Sequence, residues 1–292
     1  QPVDLMPGLG FLADVAGEVA AEIDASFGPS GLQTSATLRL DDLSFAAAGT
    51  IVRGINTNFQ LASLWPPETG EPQTVTIAAI ESATSVTYIE SVVSLRPTTA
   101  PDASLQVRVE RARATVLGGN LSVVDMLIWP VPDQLEVPVE VSRIDLAKIL
   151  ELAGGEAIGG EGLLSGRIPL FLAQGTPGIR DGRLASDGGG ALRLRSDQVS
   201  NLIGQGGNDQ VDLVVQALQD FRYDTLTMRI DKEIAGDGAV KLHLLGHNPA
   251  VLDGHPLEFN INVSINLDEI LTAVVKEYSA STGVLSRAFD LL

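Results

Sequence analysis

Residues 160–195 read GEGLLSGRIPLFLAQGTPGIRDGRLASDGGGALRLR. Glycine crowds this stretch, yet between the glycines Leu, Ile and Phe recur at every second position. Period-two alternation places apolar side chains on one face of an extended chain. The Gly, Pro and Asp clusters between the runs are turn chemistry. The stretch therefore predicts strands near 158–172, 178–186 and 188–195 joined by tight hairpins.

The same alternation extends in both directions. Downstream it is cleanest at 256–266, where Leu257, Phe259, Ile261, Val263 and Ile265 alternate with Glu258, Asn260, Asn262, Ser264 and Asn266. Strands at 221–231 and 238–247 carry Leu226, Met228 and Ile230, then Leu242 and Leu244. Upstream, Leu105, Val107 and Val109 face one way and Gln106, Arg108 and Glu110 the other. Val19, Ala21, Ile23, Ala25 and Phe27 open the pattern, followed by a GPSG hairpin turn at 28–31. Asp41-Asp42 shifts the register and predicts a bulge. Pro138, inside the strand 135–143, predicts an edge or another bulge. The Pro-rich segments 65–72 and 96–102 read as loops. Helical spacing is confined to 7–16, 145–155, the interval 196–220 and an amphipathic tail at 267–292.

The expected fold is mostly β: about twelve long strands in one elongated antiparallel domain over 1–292, since the connections are too short for parallel crossovers. A first β segment spans 17–143 and a second 158–266. Such strands have one wet and one apolar face. The apolar face meets another sheet, closes on itself as a barrel, or receives a ligand as long and apolar as the sheet. Periodicity alone leaves all three open.

Composition narrows the function. Apolar residues are 45% of the 292 but aromatics only 4%, so the apolar wall is aliphatic. A net charge of −18 opposes nucleic-acid binding, which needs a basic stripe. There is no cysteine, hence no disulfide and no thiolate metal site. The first residues lack a signal-peptide pattern and begin in mid-pattern, as expected of a segment of a longer protein.

Motifs for chemistry are sparse. His243 and His247 lie four apart on a strand, about 13 Å, too far for one zinc; His255 sits in a turn. Ser165 in GLLSG lacks the strand-turn-helix context of a nucleophile elbow. We expect no enzyme, no cofactor and no metal. Arg180, Arg183, Arg193 and Arg195 cluster in this acidic chain. They are candidates for lipid headgroup phosphates, against the plainer reading of a solvated face paired with nearby acids.

Several blocks carry a family resemblance: GEGLLSGRIPL (160–170), IRDGRL (179–184), GGGALR (188–193), ALQDFRYDTL (217–226), LHLLGHNP (242–249) and GHPLEFNIN (254–262). In order and spacing they resemble the C-terminal region of YdbH-like proteins in the AsmA superfamily, with TamB and YhdP. The resemblance implies a long sheet curved into a U-shaped repeating β-groove. It further implies an inner-membrane anchor upstream, a periplasmic location and movement of phospholipids towards the outer membrane. A small outer-membrane lipoprotein of the YnbE kind is the implied partner, near the C-terminal end.

On this reading the groove is lined by Leu105, Val107, Val109, Leu226, Met228, Ile230, Leu242, Leu244, Leu257, Phe259, Ile261, Val263 and Ile265. The partner adds a strand along Glu258, Asn260, Asn262, Ser264 and Asn266. Two acyl chains of roughly fifteen carbons cost on the order of 24 kcal/mol to expose to water, and twelve strands make a trough roughly 55 Å long. The competing readings are a β-sandwich or barrel binding module with a dry core, a scaffold that guides outer-membrane proteins, and a small-anion carrier.

Overall fold

The computed structural model describes residues 12–29, 31–47, 49–82, 84–98, 105–130, 134–152, 158–173, 176–194, 209–234 and 238–265. They form one antiparallel sheet of 15 strands that does not close into a barrel.

The first part is a meander of β1 (Ala13–Gly28), β2 (Gly31–Ala47), β3 (Thr50–Leu61), β6 (Gln73–Glu81), β7 (Ser85–Pro97), β8 (Leu105–Val116) and β9 (Gly119–Trp129). A separate small hairpin, β4 (Ser63–Leu64) with β5 (Pro67–Glu68), occupies part of the segment expected to be a plain loop. The second part continues through β10 (Gln134–Asp145), β12 (Leu163–Ala173), β13 (Thr176–Ser186), β15 (Phe221–Lys232), β16 (Gly238–His247) and β17 (Leu257–Ile265). β14 (Gly190–Leu194) pairs with the start of β15 and carries β11 (Ile158–Glu161) on its other side. Among the described residues two α-helices, α1 (Leu146–Leu152) and α2 (Asp209–Gln219), fall in two of the four intervals predicted to be helical.

One prediction is corrected at the start of the chain. A helix was expected over 7–16, but β1 begins at Ala13, so its last residues are extended; 1–11 lie outside the described residues. The register of β1 on β2 slips between Ala16 and Glu18. That bulge interrupts the alternation ahead of Val19. Gly17 makes the bulge possible: a Cβ there would stand 2.5 Å from the carbonyl oxygen of Asp42. Across the strand pair, the bulge expected at Asp41-Asp42 is present, with register shifts either side of Leu43 and φ +50° at Asp42. The tail at 267–292 and most of the interval before α2 lie outside the described residues.

Ladder partners point to the same face, so the register can be followed across the whole sheet. Val19 opposes Leu40, then Thr57, Val75, Ser91 and Ala112 in turn. Two residues along, Ala114 opposes Leu121, then Val141, Gly166, Leu184, Met228, Leu242 and Ile261. The neighbouring row points the other way and is polar: Thr76, Glu90, Arg113, Ser122, Glu140, Arg167, Arg183, Arg229, Lys241 and Asn262. A single apolar face thus runs from β1 to β17.

Candidate functional site

What covers this apolar face changes along the sheet. Over β1 and β2 no described residue covers it: Val19, Ile23 and Phe27 are 54%, 67% and 87% exposed. Leu32, opposite Phe27, is exposed as well. Through β3, β6 and β7 its residues, such as Ile55, Ile77 and Ile89, are half-buried. At one rim, Leu95, Leu105 and Val107 are buried against Phe59, Leu61, Val93, Ile128 and Trp129.

From β10 onwards a packed cluster occupies part of the face, while Val137, Ile168, Leu170, Met228 and Leu242 stay half-buried. Leu164, Phe221 and Leu244 are 0% exposed, and they join Val139, Val141, Leu184, Leu226 and Ile230 in one packed cluster. Leu146 of α1 and Leu218 of α2 pack into it, so both helices lie on the apolar side of the sheet. Phe259 meets Phe221 edge to face, ring centroids 5.1 Å apart.

The glycine-rich opening stretch explains part of this closure. Tyr223 is buried, and its hydroxyl donates to the Glu161 carbonyl at 2.7 Å. A Cβ at Gly162 would stand 2.0 Å from that hydroxyl oxygen, and one at Gly190 would stand 2.2 Å from it. The glycines of GEG and GGG therefore make room for an aromatic side chain where strands meet. Burial, and then the nearby Glu161 carboxylate, hold the Tyr223 phenol above the usual tyrosine range.

The positions expected to line the groove all fall in this geometry, but mostly in its closed part. Leu226, Ile230 and Leu244 are core residues, and Met228, Leu242, Leu257, Phe259 and Ile261 pack against them. Val109 is buried beside Leu105 and Val107 on β8. Val263 and Ile265 oppose Val240 and Gly238 in the β16–β17 ladder. The residues left accessible are others, led by Val19, Ile23, Phe27, Leu32 and Leu38. Their alternation is as plain in the sequence as that of β17. What packs against each strand separates the two groups.

β17 pairs with β16 alone, so its other edge is unpaired among the described residues. Glu258, Asn260 and Asn262 are exposed there, and Glu258 accepts or shares a 2.9 Å hydrogen bond with His243 across the ladder. Ser264 lies on the same strand; Asn266 is outside the described residues.

The arginines lie on exposed positions and are ion-paired. Arg180 meets Glu136 at 3.2 Å and stacks 4.7 Å over the Phe171 ring. Arg183 and Arg229 converge on Asp181 at 2.7 and 3.2 Å. Arg193 pairs with Glu161 and, at 3.6 Å, with Asp220. The hydrogen bond from Arg183 holds the Asp181 carboxyl below the usual range. Arg195 is outside the described residues. Ser165 accepts the Arg143 amide and donates to Asp187, which makes it a strand-bracing hydroxyl. The face opposite the apolar one also carries a polar cleft of about 280 Å³ between Ser94, Arg108, Glu110 and Asp125.

The site is therefore an aliphatic surface, open at one end of the sheet and packed at the other, backed by a polar, ion-paired face. No curated protein and no solved structure matches the chain. The family model that does match covers residues 4–274, and on that match the chain belongs to the YdbH-like family, described as the intermembrane phospholipid transport protein YdbH.

Proposed function

We propose that this chain is a periplasmic segment of a bridge that carries phospholipids between inner and outer membranes. Acyl chains lie along the apolar face and headgroups stay in water. The observation that carries the reading is the uncovered row through Val19, Ile23, Phe27 and Leu32 on a sheet whose other face is polar. Solvent exposure of so many aliphatic side chains in one row is costly at about 25 cal/mol per Å². Sheltered acyl chains remove that cost, and each CH₂ withdrawn from water contributes about 0.8 kcal/mol. The exposed and half-buried part runs over β1, β2, β3, β6 and β7, five neighbouring strands or roughly 20 Å. That length suits one or two lipids in file.

The face lacks the convergent polar groups of a selective pocket. Many weak, equivalent contacts suit a surface over which chains slide. An upstream inner-membrane anchor and a strand added to β17 by a small YnbE-like lipoprotein belong to the same proposal. The unpaired edge of β17 supports the second. Gentle purification followed by lipid extraction and mass spectrometry tests the reading. Co-purifying phospholipid is expected; a lipid-free protein contradicts it.

A further inference from the structure

β3 ends at Leu61, and the chain forms the β4–β5 hairpin, Ser63–Leu64 with Pro67–Glu68, before β6 begins at Gln73. β4 has no ladder to β2. Instead the Leu64 amide donates to the Thr34 hydroxyl of β2 at 3.2 Å. Thr34 opposes Ala25, which stands in one row with Ile23 and Phe27, so this hydroxyl is on the apolar side of β2. The hairpin therefore leans to the apolar side at the rim of the sheet. Its base is braced as well. The Ala62 amide donates to the Glu68 carbonyl at 2.8 Å, the Thr69 amide to the Leu95 carbonyl at 3.0 Å, and the Leu95 amide to the Thr69 hydroxyl at 3.0 Å. Thr69 is buried.

What this braced hairpin presents is Trp65, 75% exposed at its tip. The same-face ladder pair next to Thr34–Ala25 is Leu32–Phe27, both exposed, about 7 Å along the strands. Leu64 is bonded at Thr34 and Trp65 follows it. Three large exposed apolar side chains thus gather at one corner of the rim, an arrangement that marks a binding surface. From this corner the aliphatic row continues inward through Ile23 and Val19. The corner differs from the row in one respect. Indole joins a broad apolar ring to one N–H donor, the combination that settles between the headgroups and acyl chains of a bilayer.

We propose that the β4–β5 hairpin is a clasp for phospholipid, with the Trp65 indole lying across the glycerol end of a molecule whose acyl chains run inward from Phe27 to Ile23 and Val19. This rests on the groove reading above. Phospholipid is the occupant because the corner continues into the aliphatic row of β1 and because the chain belongs to a phospholipid transport family. The headgroup stays in water beyond the strand ends, and the indole N–H donates to an ester or phosphate oxygen. One large side chain on a fixed base retains a lipid there without enclosing it.

The chain has two tryptophans, so Trp129→Phe leaves Trp65 as the single indole fluorophore. This protein is incubated with phosphatidylglycerol vesicles whose acyl chains carry bromine near either the glycerol or the methyl end. It is then separated from the vesicles, and both retained phospholipid and Trp65 emission are measured. Emission is expected to shift to the blue on loading and to be quenched more strongly by bromine near the glycerol end. Trp65→Ala is expected to release phospholipid to acceptor vesicles about tenfold faster, the loss of one aromatic contact with the lipid. Trp65 is exposed, so the urea midpoint of that variant stays near the parent's. Retained brominated phospholipid with Trp65 unquenched overturns the clasp alone. Quenching that vanishes once the vesicles are removed, although phospholipid is retained, assigns the hairpin to a bilayer surface and overturns it too. So does emission that follows protein concentration and not phospholipid, which assigns it to a second copy. Protein that retains no phospholipid overturns the groove reading and the clasp with it.

Discussion

β1–β9 and β10–β17 are built from the same alternating sequence and the same antiparallel ladders, yet the first leaves its apolar face exposed over β1 and β2 and the second packs much of it beneath two helices. Phe27 and Leu244 both point to that face; the first is almost wholly exposed and the second is not exposed at all. The difference lies in what surrounds the strands. Around β11–β15 glycines let backbones and the Tyr223 ring approach closely, and two helices fill the remaining space. Over β1 and β2 there is neither a helix nor a second layer among the described residues. One part holds the structure together, and the other keeps a surface available.

The contrast can be broken most severely at the glycines. Gly190→Val places a branched side chain where even a Cβ stands 2.2 Å from the Tyr223 hydroxyl. We expect about 3 kcal/mol or more of lost stability, of the kind overpacking and a broken buried hydrogen bond produce, read as a lower urea midpoint. Next in size, Leu164→Ala or Leu244→Ala is expected to cost about 2–5 kcal/mol, as fully buried leucines do. The matching truncation in the open part, Ile23→Ala, is expected to change stability by about 0.5 kcal/mol or less while reducing bound phospholipid. Comparable losses of stability at Ile23 and Leu244 would erase the distinction between the two parts.

The smallest effect concerns the polar face. Arg183 holds the Asp181 carboxyl below its ordinary value, so this pair adds stability above the unfolded carboxylate pKa of about 3.9. That contribution is lost as pH falls through the lower folded value. Both groups are exposed, so the effect is modest. Asp181→Asn is expected to lower the urea midpoint slightly at neutral pH and to match the parent near about pH 2. A difference that persists in acid would assign Asp181 a role other than its charge.

Much of this was legible in the sequence. Alternation gave the strands, GPSG the first hairpin, and Asp41-Asp42 the bulge, because each depends on local backbone preference. Pro138, read as an edge or a bulge, lies inside the sheet opposite Pro169, in the part of β10 that has no ladder to β9. The helix expected over 7–16 gives way to strand from Ala13 onward, and residues 7–11 lie outside the described residues. The division into open and closed parts was not legible. Period two reports which side chains share a face and is blind to what lies against it. Burial of Leu244 depends on Phe221, Leu218 and Leu146, which are distant in sequence.

The central claim is that phospholipid acyl chains occupy the exposed apolar row. Its most direct test replaces Ile23, Leu38 and Ile77 one at a time with a photo-crosslinking amino acid, beside Glu22, Arg39 and Thr76 on the opposite face, and identifies the adducts after irradiation in cells. The account predicts phospholipid adducts at Ile23, Leu38 and Ile77 and none at Glu22, Arg39 and Thr76. Equal labelling of both faces, or no lipid adduct on either, would contradict it.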